Sequence, residues 1–497
     1  MSSATSPPTT LHLAAGRSRP QRAWWSALAV SSLASVSCRS VAPDPSPDGA
    51  AATTTVTAAP STSAMPNQPE ATAAATTSPS TDAEHELRAR AFAEELRRAD
   101  YAAAVARFDA TMSAALPSAA LEQTWKSLQQ GVGAFKALGS ARTEKEGAYQ
   151  VVRLRCEFER ATLEMKLAFD AQHRIAGLFF TPPTAEYSLP SYAKPERVEE
   201  RELTVGEGEW ALPATLTLPR GVAKAPAVVL VHGSGPNDRD ESVGANKPFR
   251  DLALGLGARG IATLRYEKRT KVHGPKLAAD LSLTVNEETV HDAVLAVAKL
   301  RSMPEIDPSR VFIAGHSLGG MLAPRIAERA PELRGLVVLA GNTRAVYDMV
   351  PEQIAYIASL DGRTSDEESA QLAEVKRVAE RIRALEAGAA PNPGERLLGA
   401  GAAYWKDLAG YDPPARALGK PIFVAQGGRD YQVTKVDFEA WKKALDGRPG
   451  AKLVLYPELN HLLGAGTGPS HPQEYEQRAE VDAKLLGDLA AFIDGLK

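Results

Sequence analysis

Hydrophobic positions follow two different rhythms along this chain. Over residues 200–497, short runs of consecutive apolar residues at 227–231, 261–264, 311–314, 336–339 and 422–425 alternate with longer amphipathic stretches. Uninterrupted runs of this kind, separated by helical stretches, predict a mainly parallel sheet covered on both faces. Over residues 83–183 the rhythm is different. Leu87, Ala91 and residues 93–96, then Val105, Phe108 and Met112, then Leu121, Trp125 and Leu128 recur at helical spacing. Gly131 and Gly133 end the helical pattern. Beyond them Val152, Leu154, Cys156 and Phe158 alternate with Arg153, Arg155, Glu157 and Glu159, and Leu163, Met165, Leu167 and Phe169 alternate in the same way. With a third run at 175–180, these predict antiparallel strands, half-buried, with helices packed on one face: a small α+β domain. Cys156 falls on the apolar side of its strand and reads as core.

The first 82 residues follow neither rhythm. Arg17, Arg19 and Arg22 precede an apolar run that starts at Ala23 and continues through Leu33 to Val36. A basic stretch before an apolar run too short for a bilayer, which needs about 20 residues, predicts an export signal over residues 1–38. The run closes Leu33-Ala34-Ser35-Val36-Ser37-Cys38 and resembles a bacterial lipobox, which implies a lipid on Cys38 and attachment to a membrane. Ser35 stands where that motif prefers leucine, and small residues at 35 and 37 equally suit ordinary signal-peptidase cleavage, so both outcomes stay open. Residues 39–82 are Ala, Thr, Ser and Pro with almost no large apolar side chains, a composition unable to offset its own conformational entropy, and are expected to form a disordered tether. The expected location is periplasmic or extracellular. A Pro-containing linker over 184–199 leads into the second rhythm.

Composition narrows the functions open to the body. In 497 residues, 57 Lys and Arg face 60 Asp and Glu, a net charge of −3, which argues against a nucleic-acid partner. Two cysteines build neither a disulfide framework nor a thiolate zinc site. No metal-ligand spacing, phosphate loop or dinucleotide fingerprint stands in the chain, so no metal and no cofactor is implied. Oligomeric state is not legible.

The chemistry concentrates at the carboxyl ends of the predicted strands, where open α/β sheets gather their active residues. Gly315-His316-Ser317-Leu318-Gly319-Gly320 lies between the run ending at Ala314 and a helix reaching to about Ala330. In that context Gly-x-Ser-x-Gly is a nucleophile turn, with glycines where side chains would collide and the following helix aimed at the reacting carbonyl. Serine needs a base, and on this scaffold the order is Ser, then an acid, then His. Asp430 follows the run at 421–426, and His461 follows the run at 452–456. His461 would take the Ser317 proton while Asp430 holds its tautomer. Asp407, Asp412, Glu458 and His471 are the competitors for these roles. His316 reads as a support of the turn, and His232 as structural. His232-Gly233-Ser234-Gly235-Pro236 directly follows the run at 227–231, where the backbone N–H of Ser234 would join that of Leu318 in an oxyanion hole.

Two resemblances follow from these residues. Asp100-Tyr101-Ala102, Phe108-Asp109 and Ile175-Ala176-Gly177-Leu178 make the first domain similar to a cystatin-like, nuclear-transport-factor-like domain of unknown function found ahead of secreted hydrolases. The stretches 231–240, 246–249, 264–269, 315–320, 404–408 and 411–413 make residues 200–497 resemble a bacterial esterase branch of the α/β-hydrolases, near the dienelactone-hydrolase and acyl-esterase groups. The resemblance implies an α/β-hydrolase fold and a carboxylesterase acting on small-molecule short acyl esters. A serine peptidase or a thioesterase would use the same triad. Outside the enzymes, the alternative is a non-catalytic envelope-binding lipoprotein. The Glu-, Arg-, Ala- and Leu-rich insertion at about 342–413 is expected to be a helical cap over Ser317, or else a surface helical hairpin. The charges Asp238, Arg239, Asp240, Arg265 and Lys268 are either a salt-bridged loop framework or substrate contacts.

Overall fold

The computed structural model describes residues 81–146, 149–181, 183, 185–277 and 280–496. The export signal, Cys38 and the tether up to residue 80 lie outside the described residues. The chain divides into two compact units, one holding the described residues up to Pro183 and the other those from Ala185 onward.

The first unit places helices α1 (Thr81–Arg97), α2 (Tyr101–Val105), α3 (Ala110–Ala115) and α4 (Ser118–Val132) before strands β1 (Phe135–Glu146), β2 (Tyr149–Phe158), β3 (Thr162–Phe169) and β4 (Ile175–Thr181). The strands form one antiparallel sheet in the order β1-β2-β3-β4. The sequence pattern anticipates three strands, and the structure has a fourth. β1 carries no sustained apolar alternation because it is an edge strand, with register shifts along its pairing to β2. The α1 stripe holds at its end and differs at its start: Ala93 and Leu96 are buried as expected, together with Ala89 and Phe92, while Leu87 is 62% exposed. These residues pack with Trp125, Leu154, Cys156 and Leu167 into one core. Burial pushes the Cys156 thiol up to about 12, so it is an inert core group.

In the second unit an eight-stranded sheet runs β12-β11-β10-β9-β7-β8-β6-β5. Strands β7 (Ala225–Val231), β8 (Ala262–Tyr266), β9 (Ile306–His316), β10 (Gly335–Leu339), β11 (Ile422–Gly427) and β12 (Ala451–Tyr456) are parallel, and they include every apolar run singled out in the sequence. The antiparallel hairpin β5 (Val198–Val205) and β6 (Leu212–Pro219) completes one edge. Both faces are covered. Val228 and Leu230 of β7 pack in the layer of α5 (Pro248–Gly257) and α12 (Ala483–Gly495). Val229 and Val231 enter the opposite layer with α6 (His291–Arg301), α7 (Leu318–Arg329) and α11 (Lys435–Leu445). Two-sided burial explains why these strands read as continuous apolar runs and not as alternating ones.

The insertion folds as α8 (Val346–Ser359), α9 (Asp366–Glu386) and α10 (Ala402–Leu408). The buried carboxylate of Asp437 on α11 anchors its start, accepting from the Thr343 N–H at 2.9 Å and from Arg344 Nη2 at 2.9 Å. Ser365 and Glu368 form a reciprocal capping box at the start of α9. Ile357 of α8 packs with Tyr431, Leu462 and Tyr475, and Tyr356 stacks on Tyr431 with ring centroids 5.1 Å apart. Tyr431 and Leu462 adjoin Asp430 and His461, so α8 lies against the two loops that carry the candidate acid and base.

Candidate active site

Ser317 sits between β9 and α7 with φ 53° and ψ −119°, a left-handed conformation that a side chain rarely adopts and that costs about 1–3 kcal/mol. The surrounding backbone holds it there: its N–H donates to Leu339 O at 2.9 Å, and its carbonyl accepts from Met321 N at 3.0 Å. The close approach of the turn to the sheet requires glycine on both sides of the serine. A Cβ on Gly315 would lie 2.1 Å from Gly319 O, and one on Gly319 would lie 2.3 Å from Val231 O. Both obstacles are backbone atoms. Gly319→Ala is therefore expected to destabilise the protein by roughly 2–3 kcal/mol in chemical denaturation, with the elbow displaced.

Asp430 and His461 come together on the loops after β11 and β12. His461 Nδ1 lies 2.7 Å from Asp430 Oδ2, with both residues buried. An ionised carboxylate only accepts, so the proton is on Nδ1 and Nε2 is left as the basic nitrogen. Asp430 Oδ1 accepts the N–H groups of Gln432 and Val433 at 2.8 and 2.9 Å, and Gln426 Nε2 donates to Oδ2 at 3.2 Å. Gln426 at the end of β11 is a site residue that the sequence reading missed. The His461 loop is built on Asn460, whose Oδ1 accepts from the N–H groups of Leu462 and Gly464 at 3.1 and 3.2 Å.

The competitors have other partners. Asp407 binds Arg325 Nη1 at 2.8 Å, Asp412 accepts from Ala415 N as a helix cap, and exposed His471 contacts Gln473. Glu458 is exposed.

The loop after β7 lies beside the elbow, since a Cβ on Gly233 would lie 3.1 Å from that of Ser317. The Gly233 N–H is committed to Glu241 Oε1 at 2.6 Å. The Gly233 carbonyl accepts from Lys268 Nζ at 2.8 Å, and Asn237 Nδ2 donates to Ser234 O at 2.9 Å. Leu318 opens α7, so its N–H is among those a helix leaves without an internal partner. The acidic and basic residues of the loop form a framework: Asp240 pairs with Arg265 and with Lys247, Arg239 with Glu267, and Lys268 with Glu288 at 2.6 Å. His232 packs between Phe249 and Tyr266, and burial pushes its imidazole down to about 4, so it stays neutral.

His316 supports the turn through two contacts. Its Nε2 donates to His461 O at 2.8 Å, and its Nδ1 is 2.9 Å from Glu241 Oε2, an ion-pair distance without hydrogen-bond alignment. Burial alone would raise the Glu241 carboxyl and lower the His316 imidazole. Their mutual attraction outweighs it, holding the carboxyl below its ordinary 4.5 and the imidazole above its ordinary 6.5. A depressed carboxyl stabilises the fold above its unfolded value and loses that contribution as pH falls through its folded one. A raised imidazole stabilises below its unfolded value and loses the contribution as pH rises through its folded one. The pair therefore stabilises most between pH 4.5 and 6.5. Thermal melts of Glu241→Gln against the parent across pH are expected to differ most inside that window.

Among the described residues, no group of three or more His, Cys, Asp or Glu is placed to hold a metal ion. A cavity of about 210 Å³ lies between α7 and the insertion, lined among others by Met321, Tyr347, Trp405, Leu408 and Tyr411. Its wall includes none of Ser317, Asp430 and His461, and it begins at Met321, one turn along α7 from the serine.

A serine on a strand–turn–helix elbow, over a mostly parallel sheet with a buried His–Asp contact beyond it, is a hydrolase arrangement. Residues 228–478 match the Alpha/beta hydrolase family, and the chain belongs to that family. Its relatives include esterases. It is 37% identical over 405 residues to Esterase EstD of Thermotoga maritima, covering 81% of this chain and 93% of EstD. It is 27% identical over 231 residues to Esterase Rv0045c of Mycobacterium tuberculosis, covering 43% of this chain and 70% of that protein. Of solved structures, Est1E from Butyrivibrio proteoclasticus is similar at 17% identity, covering 59% of this chain and 99% of that one, with a TM-score of 0.37. Residues 89–178 match a protein family of unknown function, DUF3887.

Proposed function

We propose that the protein is a serine carboxylesterase that cleaves short acyl esters through a covalent acyl-enzyme. The observation that carries this reading is the buried 2.7 Å contact between His461 Nδ1 and Asp430 Oδ2, on the two loops beyond the Ser317 elbow. His461 Nε2 takes the Ser317 hydroxyl proton as the oxygen attacks the ester carbonyl, and returns it to the departing alcohol. Water then repeats the sequence and releases the acid. The N–H groups of Ser234 and Leu318 hold the oxyanion. The assignment of Ser234 is supported by its neighbour, because the Gly233 N–H is already occupied by Glu241. Helix α8, packed on the loops of both His461 and Asp430, limits water entry and shapes the acyl or alcohol side. Esterase activity in EstD, at 37% identity, supports ester over amide substrates. The N-terminal signal with Cys38 supports an exported enzyme held at, or released from, a membrane. The test is a panel of p-nitrophenyl acyl esters, acyl thioesters and aminoacyl amides at equal concentration. Fastest turnover is expected on the short esters, and a preference for the amides would contradict the reading.

A further inference from the structure

Glu241 is the residue at this site that neither the triad nor the oxyanion hole uses. It follows β7 with φ +53°, an uncommon conformation for a long side chain, and its carboxylate is buried. The Asp238 side chain shapes that turn, its Oδ1 accepting the N–H groups of Asp240 and Ser242 at 3.1 and 2.9 Å. The two carboxylate oxygens then serve two different loops. Oε1 accepts the Gly233 N–H at 2.6 Å, and Oε2 lies 2.9 Å from His316 Nδ1. On the far side of the ring, His316 Nε2 is 2.8 Å from the carbonyl of His461. A carbonyl and a carboxylate both only accept, whereas a neutral imidazole has a proton on one nitrogen only. The His461 carbonyl takes the Nε2 proton, and the Glu241 carboxylate at ion-pair distance from Nδ1 attracts a charged ring, so the two together favour the imidazolium.

We propose that Glu241 is a positioning residue which, through a His316 imidazolium, holds the oxyanion loop, the nucleophile elbow and the His461 loop in one catalytic register. The proposal rests on the esterase reading. Three strand ends, those of β7, β9 and β12, carry these loops, and the Gly233–Glu241–His316–His461 chain is a side-chain link between all three. Such a link acts on the geometry in which the reaction occurs, and misplacement of about 1 Å can cost about 10²-fold in rate. Since the tie contacts no part of a bound substrate, its loss falls on kcat and leaves KM nearly unchanged. The rings of His316 and His461 also pack directly against each other, with centroids 4.7 Å apart. The other charged or titratable groups facing the pair are Asp430, near His316, and His232, near Glu241, with Lys268 and Asp238 beyond His232.

The experiment uses the full chain and three variants, Glu241→Gln, His316→Asn and the double variant, each checked for native folding by circular dichroism. Glu241→Gln keeps the shape and one acceptor for Gly233 while removing the charge, so it separates the tie from gross packing. Each single variant is expected to lose about 10–10²-fold in kcat on one short ester with KM within about threefold, and the double variant is expected to be little worse than either single one. Fluorophosphonate labelling of Ser317 should slow in parallel. Folded variants that keep kcat and labelling within about threefold of the parent, or additive losses in the double variant, overturn the proposal while leaving the esterase reading intact. Failure of the unmodified chain to label or to cleave any ester overturns that reading, and this proposal with it.

Discussion

Ser317→Ala is expected to lose fluorophosphonate labelling completely and to lower ester turnover by about 10⁶-fold, with His461→Ala comparably damaged. The size follows from the chemistry. In the proposed mechanism no acyl-enzyme forms without the hydroxyl, and the remaining N–H donors would only bind and polarise the ester. Without His461 the hydroxyl stays protonated near neutral pH and attacks poorly. The cysteine of the described residues offers no substitute nucleophile: Cys156 is buried in a hydrophobic core, with its thiol raised to about 12. Both variants should fold. The serine hydroxyl is not what holds the elbow; the N–H and carbonyl of residue 317 do that, at 2.9 and 3.0 Å from Leu339 and Met321, and alanine retains both groups. Stopped-flow or steady-state turnover of one ester, with labelling read on a gel, measures the effect.

Asp430→Asn is the second large expected effect, about 10⁴-fold in kcat with nearly unchanged folding. The partners of Asp430 explain why an isosteric change is so costly. Its Oδ1 accepts two backbone N–H groups, from Gln432 and Val433, so the single oxygen of asparagine must turn to that side. The amide NH2 then faces His461 Nδ1, where a proton now stands. Two donors cannot share that contact, so the ring moves its proton to Nε2, the nitrogen that the proposed mechanism needs free to accept from Ser317. Asp412→Asn, at a helix cap, and His471→Ala, on the surface, should stay within a few-fold of the parent. Asp407→Asn loses its ion pair with Arg325 and should lower stability rather than the rate of the chemical step. Collapse of activity in Asp412→Asn with Asp430→Asn unharmed would assign the acid to the wrong loop.

Much of this was legible in the sequence because the signals are local. A parallel strand buried on both faces announces itself as an unbroken apolar run, as at Val228 to Val231. The elbow announces itself because the backbone crowding at Gly315 and Gly319 tolerates no side chain. The position of Asp430 and His461 after strands singles them out, and the structure brings their side chains within 2.7 Å. What escaped has a physical reason in each case. Strand β1 is a polar sheet edge, and nothing in its own residues marks it as paired. The start of the α1 stripe is not legible because alanines on neighbouring faces blur helical phase, and only packing on the sheet selects Ala89 and Phe92 over Leu87. Gln426 and Glu241 owe their roles to partners brought near by the fold, Gln426 to Asp430 and Glu241 to His316, 75 positions away along the chain. Glu241 is further concealed in a charged stretch in which Asp240 and Arg239 belong to the loop's salt-bridge framework and Asp238 shapes the turn.

The central claim, that Ser317 forms a covalent acyl-enzyme with His461 and Asp430 behind it, is tested most directly by trapping that species. The unmodified chain is quenched with acid during turnover of a slowly deacylated ester, digested, and read by mass spectrometry. The account predicts one added acyl mass on the peptide containing Ser317, present in Asp430→Asn at slower accumulation and missing in Ser317→Ala. An acyl group on any other residue, or ester turnover by Ser317→Ala at the parent's rate, would contradict it.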